Sequence, residues 1–155
     1  MKRHPQLLIL LLITAILAAC STAMTGQSET VEIPNTWPEG QWTRHTIDDS
    51  SFGPDGTRLA DINGDGLLDI TTPWEQGGVV RVYLNPGKHK VKDPWPAVTV
   101  GEVGDPEDSF FIDLDGDGNL DVVSSCEGDT RSMFVHWSPA DRDNLLYPSA
   151  WPTTQ

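Results

Sequence analysis

Two short stretches crowd carboxylates more tightly than a solvated loop requires. "DINGDGLLD" puts side-chain oxygens at Asp61, Asn63, Asp65 and Asp69. "DLDGDGNLD" repeats the arrangement with Asp113, Asp115, Asp117 and Asp121, and six of the nine positions are identical. Like charges this close repel and raise one another's pKa unless a cation lies among them. Hard cations such as Ca²⁺ take roughly six to eight oxygens at about 2.3–2.6 Å. Alternate positions of a tight loop aim several oxygens at one centre, and the glycine after the third permits the left-handed turn that brings a backbone carbonyl inward. The pattern predicts two structural calcium sites. The first uses Asp61, Asn63, Asp65, Asp69 and the Leu67 carbonyl; the second uses Asp113, Asp115, Asp117, Asp121 and the Asn119 carbonyl. A helix-flanked EF-hand begins the same way but demands a Glu at its twelfth position. Thr72 and Ser124 stand there, and both loops run into the strand-like "LLDITT" and "NLDVVSS", which excludes it.

The elements that must hold these loops follow from an internal repeat. Asp61 and Asp113 lie 52 residues apart, and the likeness extends outward. "PDGTRLAD" lies over "PEDSFFID", Trp74-Glu75 over Cys126-Glu127, "VRVYLNP" over "MFVHWSP" with a one-residue slip, and "WTRHTI" over "WPAVTV". Short alternating runs and frequent Gly and Pro, with no sustained helical periodicity, make the chain all-β. Strands are predicted near 42–47, 57–62, 67–72 and 78–84, and again near 95–100, 109–114, 120–125 and 132–138. A four-stranded unit near 50 residues, repeated in tandem, is the signature of a β-propeller blade. The expectation is two four-stranded antiparallel blades, a partial propeller, with blade 1 over 37–92 and blade 2 over 93–145. Residues 146–155 begin an incomplete third blade, since Trp151 repeats Trp42 and Trp95. Such a chain is a fragment, a truncated gene product or one part of a larger assembly, and further blades or other chains would complete the ring.

The strand–DxDxDGxxD–strand hairpin resembles the FG-GAP or VCBS repeats of bacterial surface proteins, related to the integrin α-chain propeller. The resemblance covers about residues 42 to 145, with the two loops as its specific part and "FGPDG" and "VGDPED" in the places of the FG and GAP sequences. It implies a seven-bladed propeller in complete members, with calcium in the hairpin loops.

The N-terminus adds an address. Lys2 and Arg3 precede the apolar "LLILLLITAILAA", a signal-peptide pattern over residues 1–19. "LAAC" resembles the lipobox of bacterial lipoproteins, which makes Cys20 the lipidated mature N-terminus, and Ser21 after it points to the outer membrane or cell surface. Residues 20–36 read as a flexible tether. Without the signal, eight basic residues face 23 acidic ones, a formal charge of −15. That surface repels phosphate backbones and argues against a nucleic-acid partner. Cys126 is then the one remaining cysteine, expected as a small buried strand residue.

Glu75 and Glu127 recur at equivalent places after the third strand of each unit. Paired carboxylates can hydrolyse glycosides, but a repeated position recurs because its blade recurs, and no acid–base partner is identifiable. Trp74 has no aromatic counterpart, so Trp74, Glu75 and Glu127 form a possible ligand face. The histidines show neither metal-ligand spacing nor a nucleophile elbow, and no catalytic residue is assigned. The expectation is an exported, lipid-anchored, calcium-binding propeller repeat protein. It acts as a binding or adhesion module toward protein or polysaccharide at the bacterial envelope, and not as an enzyme. The alternative is the N-terminal fragment of a larger carbohydrate-active or hydrolytic enzyme.

Overall fold

Short alternating runs punctuated by glycine and proline form strands here, as their period of two requires. The computed structural model describes residues 42–155. The expected signal peptide, tether and lipidation site Cys20 lie outside the described residues. The first sheet joins β1 (Arg58–Ala60), β2 (Asp69–Trp74), β3 (Val79–Tyr83) and β4 (Ala97–Glu102) in that order. The second joins β5 (Pro106–Ile112), β6 (Asp121–Cys126), β7 (Ser132–His136) and β8 (Thr153–Thr154) in the same way. Every neighbouring pair within the two sheets is antiparallel. Two four-stranded antiparallel sheets with the expected blade topology are therefore present. Two single 3₁₀ turns, Arg142–Asn144 and Pro148–Ala150, are the helical elements among the described residues.

The strands group differently from the repeat count begun at the tryptophans. The run 95–100 appears as β4, hydrogen-bonded to β3 of the preceding unit, through Val82↔Val98 and Arg81↔Thr99. Its later counterpart, just past Trp151, supplies β8 to the second sheet. The predicted strand at 42–47 does not form, because no strand precedes it among the described residues to offer a ladder. Sheet boundaries thus fall inside the sequence repeats rather than between them.

A buried apolar cluster joins the sheets. Val80, Val82, Val98 and Val100 of the first meet Val122 and Cys126 of the second, closed by Leu145 and Trp151. Each fully buried valine contributes roughly 1.5 kcal/mol or more. The exposed ion pair between Arg58 and Asp108 at 2.7 Å contributes at most about 1 kcal/mol. Apolar burial is therefore the dominant joint. A polar seam runs beside it: Thr71 Oγ1 to Ser109 Oγ at 3.0 Å, and His136 to both Ser124 Oγ and Thr153 Oγ1 at 2.9 Å. Gly101 lies against the His136 ring so closely that a Cβ there would collide with it. Cys126 is buried and free, as expected, and burial, helped by Asp105, pushes its thiol up.

Candidate metal centres in two matched hairpin loops

Both acidic stretches are β-hairpin loops, one between β1 and β2 and the other between β5 and β6. Their principal side-chain-to-backbone hydrogen bonds match position by position. Asp61 accepts the N–H groups of Gly64 at 2.7 Å and Gly66 at 2.9 Å, one on each carboxylate oxygen. Asp113 accepts those of Gly116 at 2.8 Å and Gly118 at 3.1 Å. Asn63 and Asp115 accept from the residue two further on, as do Asp65 and Asp117. Gly66 and Gly118, at φ of 84° and 90°, make the left-handed turn that an L side chain would oppose.

The ninth-position aspartates behave differently from the others. Asp69 is fully buried, and its two oxygens accept the backbone N–H groups of Ile62 at 3.0 Å and Asn85 at 2.7 Å. Asp121 does the same with Leu114 at 3.1 Å and Ser138 at 2.9 Å. Burial pushes the Asp69 carboxyl up against the opposing pull of those backbone donors. Each aspartate ties the start of its loop to the exit of the third strand.

In the second loop, Asp113, Asp115 and Asp117 are exposed and bring one oxygen each within 4.8 Å of one another. Two oxygens on one Ca²⁺ at about 2.3–2.6 Å cannot be more than about 5 Å apart. Three hard oxygens at that separation fit such an ion. The first loop has the same backbone geometry with Asn63 in the place of Asp115. Asp121 does not join the exposed trio.

A cation the sequence reading missed lies between the loops. Arg142 donates from Nε to Asn119 Oδ1 at 3.1 Å and from Nη2 to the Gly118 carbonyl at 3.2 Å. Its Nη1 also occupies the space beside Gly64 where a Cβ would stand. These bonds go to an amide and a carbonyl, so the carboxylates keep their charge unpaired by it. Arg142 opens the short 3₁₀ turn after β7, beyond any repeated position, and no pattern could have flagged it.

Glu75 and Glu127 do come together, joined by Glu107 of β5, with one oxygen from each within 4.8 Å. Glu107 is held up to about 7 by its hydrogen bond to Glu127, then by partial burial and the charges of Glu127, Glu75 and Asp55. Glu107 follows Pro106 in "PEDSFFID", where its repeat partner is Asp55; that acidic recurrence was the available signal. Trp74 does not share this surface. It is buried, its indole N–H donates to the Tyr83 hydroxyl at 2.9 Å, and the Arg81 guanidinium lies 5.6 Å from its ring centre. What the ring does present borders the separate cleft of about 190 Å³ beside Thr72 and Tyr83, not the three glutamates.

Comparison with known proteins agrees with the hairpin pattern. A search of curated proteins found no match, and neither did a search of solved structures. Residues 61–124, from Asp61 of the first loop to Ser124 in β6, match the family model of the FG-GAP-like repeat, so the chain carries an FG-GAP-like repeat.

Proposed function

We propose that this chain is a calcium-stapled propeller-type binding module, exported and lipid-anchored through Cys20 at the outer membrane or surface of a bacterium. The convergence of Asp113, Asp115 and Asp117 carries the calcium reading. The FG-GAP-like repeat over 61–124 and the two sheets support the binding-module reading. Calcium acts structurally, each ion closing one hairpin, and the partner is a protein or polysaccharide of the envelope rather than nucleic acid. Further blades or other chains would complete the propeller.

The enzymatic alternative finds its best footing in Glu75, Glu107 and Glu127. Glu75, Glu107 and Glu127 bring one oxygen each within 4.8 Å of one another, and neither of the clefts of about 640 and about 190 Å³ is lined by these glutamates. A binding role therefore fits better. Calorimetric titration of the purified chain with calcium is expected to show two sites. No heat and no stoichiometric uptake at millimolar calcium would end the reading.

A further inference from the structure

The face of the first sheet turned away from the second is crossed by residues 46–50, and a cleft of about 640 Å³ opens beside them. That lies within the roughly 300–1,000 Å³ of small-molecule sites. Asp48, Asp49, Arg81, Trp95 and Thr99 line it, with Pro94 and Pro148 at its flanks.

The cleft is held in one shape by a saturated polar centre. Asp48 Oδ2 accepts from Arg81 Nη1 at 2.6 Å and from the Tyr83 hydroxyl at 2.7 Å. Its Oδ1 accepts the Ser50 N–H at 2.9 Å and the Ser50 hydroxyl at 2.7 Å. Burial opposes this charge, but the bonds from Ser50, Tyr83 and Arg81 outweigh it and hold the Asp48 carboxyl at about 2. Four bonds fill both oxygens, so Asp48 is scaffold and not a ligand contact. Trp95 is pinned at two points, its backbone N–H on the Ile47 carbonyl and its indole N–H on the Val91 carbonyl, each at 3.0 Å. Its half-buried ring is thereby fixed in the wall.

The chemistry left for a ligand is specific. Arg81 uses Nη1 on Asp48 and Ser50 and Nε on Thr99, which leaves Nη2 as the nitrogen to offer a ligand. Asp49 is exposed and supplies an acceptor. Asp48, Asp49 and Arg81 together leave one negative charge, within a chain of formal charge −13, so an anion is disfavoured. A cation would meet the guanidinium. A ligand with apolar C–H faces for Trp95 and the prolines, and hydroxyls that both donate and accept, meets neither objection. We propose that this cleft binds a neutral saccharide unit, with Trp95 as the stacking wall and Arg81 and Asp49 as the hydroxyl partners. The proposal rests on the binding-module reading and names its ligand class.

The test is calorimetric titration of the full chain in detergent with cellobiose and N,N′-diacetylchitobiose, with digalacturonic acid as the charged comparison. Calcium uptake is measured on the same preparations. Saturable binding of at least one neutral disaccharide is expected, weakened roughly tenfold or more by Trp95→Ala. Asp49→Ala, an exposed change that leaves the fold intact, should weaken it several-fold. Calcium uptake should be equal in all three proteins. Absence of saturable binding in a protein that takes up calcium overturns the saccharide site alone. So does unchanged affinity in Asp49→Ala, or a preference for digalacturonic acid. Disaccharide binding without calcium uptake supports the cleft and overturns the calcium reading instead.

Discussion

Asp69 holds Asn85 across sixteen residues of chain: its buried carboxylate accepts the Asn85 N–H at 2.7 Å while the other oxygen takes that of Ile62 at 3.0 Å. Asp121 repeats the link to Ser138 at 2.9 Å. Hydrogen bonds to a charged group contribute about 1.5–3 kcal/mol, and a buried N–H left without a partner loses a similar amount. Asp69→Ala orphans two such donors and should destabilise the protein by about 3 kcal/mol or more in denaturant unfolding. Asp69→Asn keeps one acceptor and should lose about half as much. A change below about 0.5 kcal/mol for Asp69→Ala, the range of an ordinary surface substitution, would show that the link is incidental.

Gly101 of β4 and His136 of β7 form a tight contact between the two sheets. A methyl group at Gly101 would strike the imidazole, which is itself fixed by Ser124 and Thr153. Overpacking a fixed site typically loses about 1–3 kcal/mol. Gly101→Ala should fall at the upper end, whereas Gly66→Ala meets no neighbouring atom and loses only its left-handed backbone preference. Equal midpoints for the two variants would contradict this picture of the sheet contact.

Acid sensitivity should come from two groups with opposite signs. Burial outweighs a bond with the Val100 backbone and lowers His136 to about 4. The unfolded chain takes up that proton below about pH 6.5 while the folded one stays neutral, so stability is lost as pH falls from about 6.5 to about 4, by about 3 kcal/mol in all. Glu107 runs the other way. Its folded value of about 7 lies above the ordinary 4.5, so the native state holds the extra proton, and this contribution is lost as pH rises through that window. Glu107→Gln removes the opposing slope, and unfolding measured between pH 7 and 4.5 should show a steeper acid loss than in the parent protein. An unchanged loss would mean that Glu107 does not hold an extra proton in the folded state.

The short β-branched runs in "DITTPW", "VVRVY" and "DVVSSC", bounded by Gly and Pro, made the central strands legible, and β2 and β6 are buried along nearly their whole length. The loops were legible for a different reason: clustered charge needs an oxygen-rich purpose, and the repeat doubled the signal. The strand at 42–47 failed because alternation identifies a sequence able to pair but not the neighbour it pairs with. The same cause shifted 95–100 into the first sheet. Trp74 was misplaced as surface because a difference between repeats was read as freedom from packing, whereas Arg81 and Tyr83 enclose it. Asp48 and Arg142 were silent, since both act across distance from segments outside the strands. No local pattern encodes a contact between residues 48 and 81.

The calcium sites should respond unequally to substitutions within one loop. Asn63 already occupies in the first loop the place of Asp115 in the second, with the same acceptor bond to the residue two further on. Asp115→Asn should therefore leave two calcium ions bound per chain. Asp117→Ala removes an exposed carboxylate of the converging trio together with the oxygen that accepts the Asn119 N–H, so stoichiometry should fall from two to one. Saturation at about a hundred times the dissociation constant stabilises the folded state by about 2.7 kcal/mol per independent site. At roughly 4 °C per kcal/mol for a domain of this size, removing calcium with chelator should lower the midpoint by about 10 °C for each site lost. The chelator-induced drop should accordingly be halved in Asp117→Ala and undiminished in Asp115→Asn. An equal drop in all three proteins would place any bound calcium somewhere other than these hairpins.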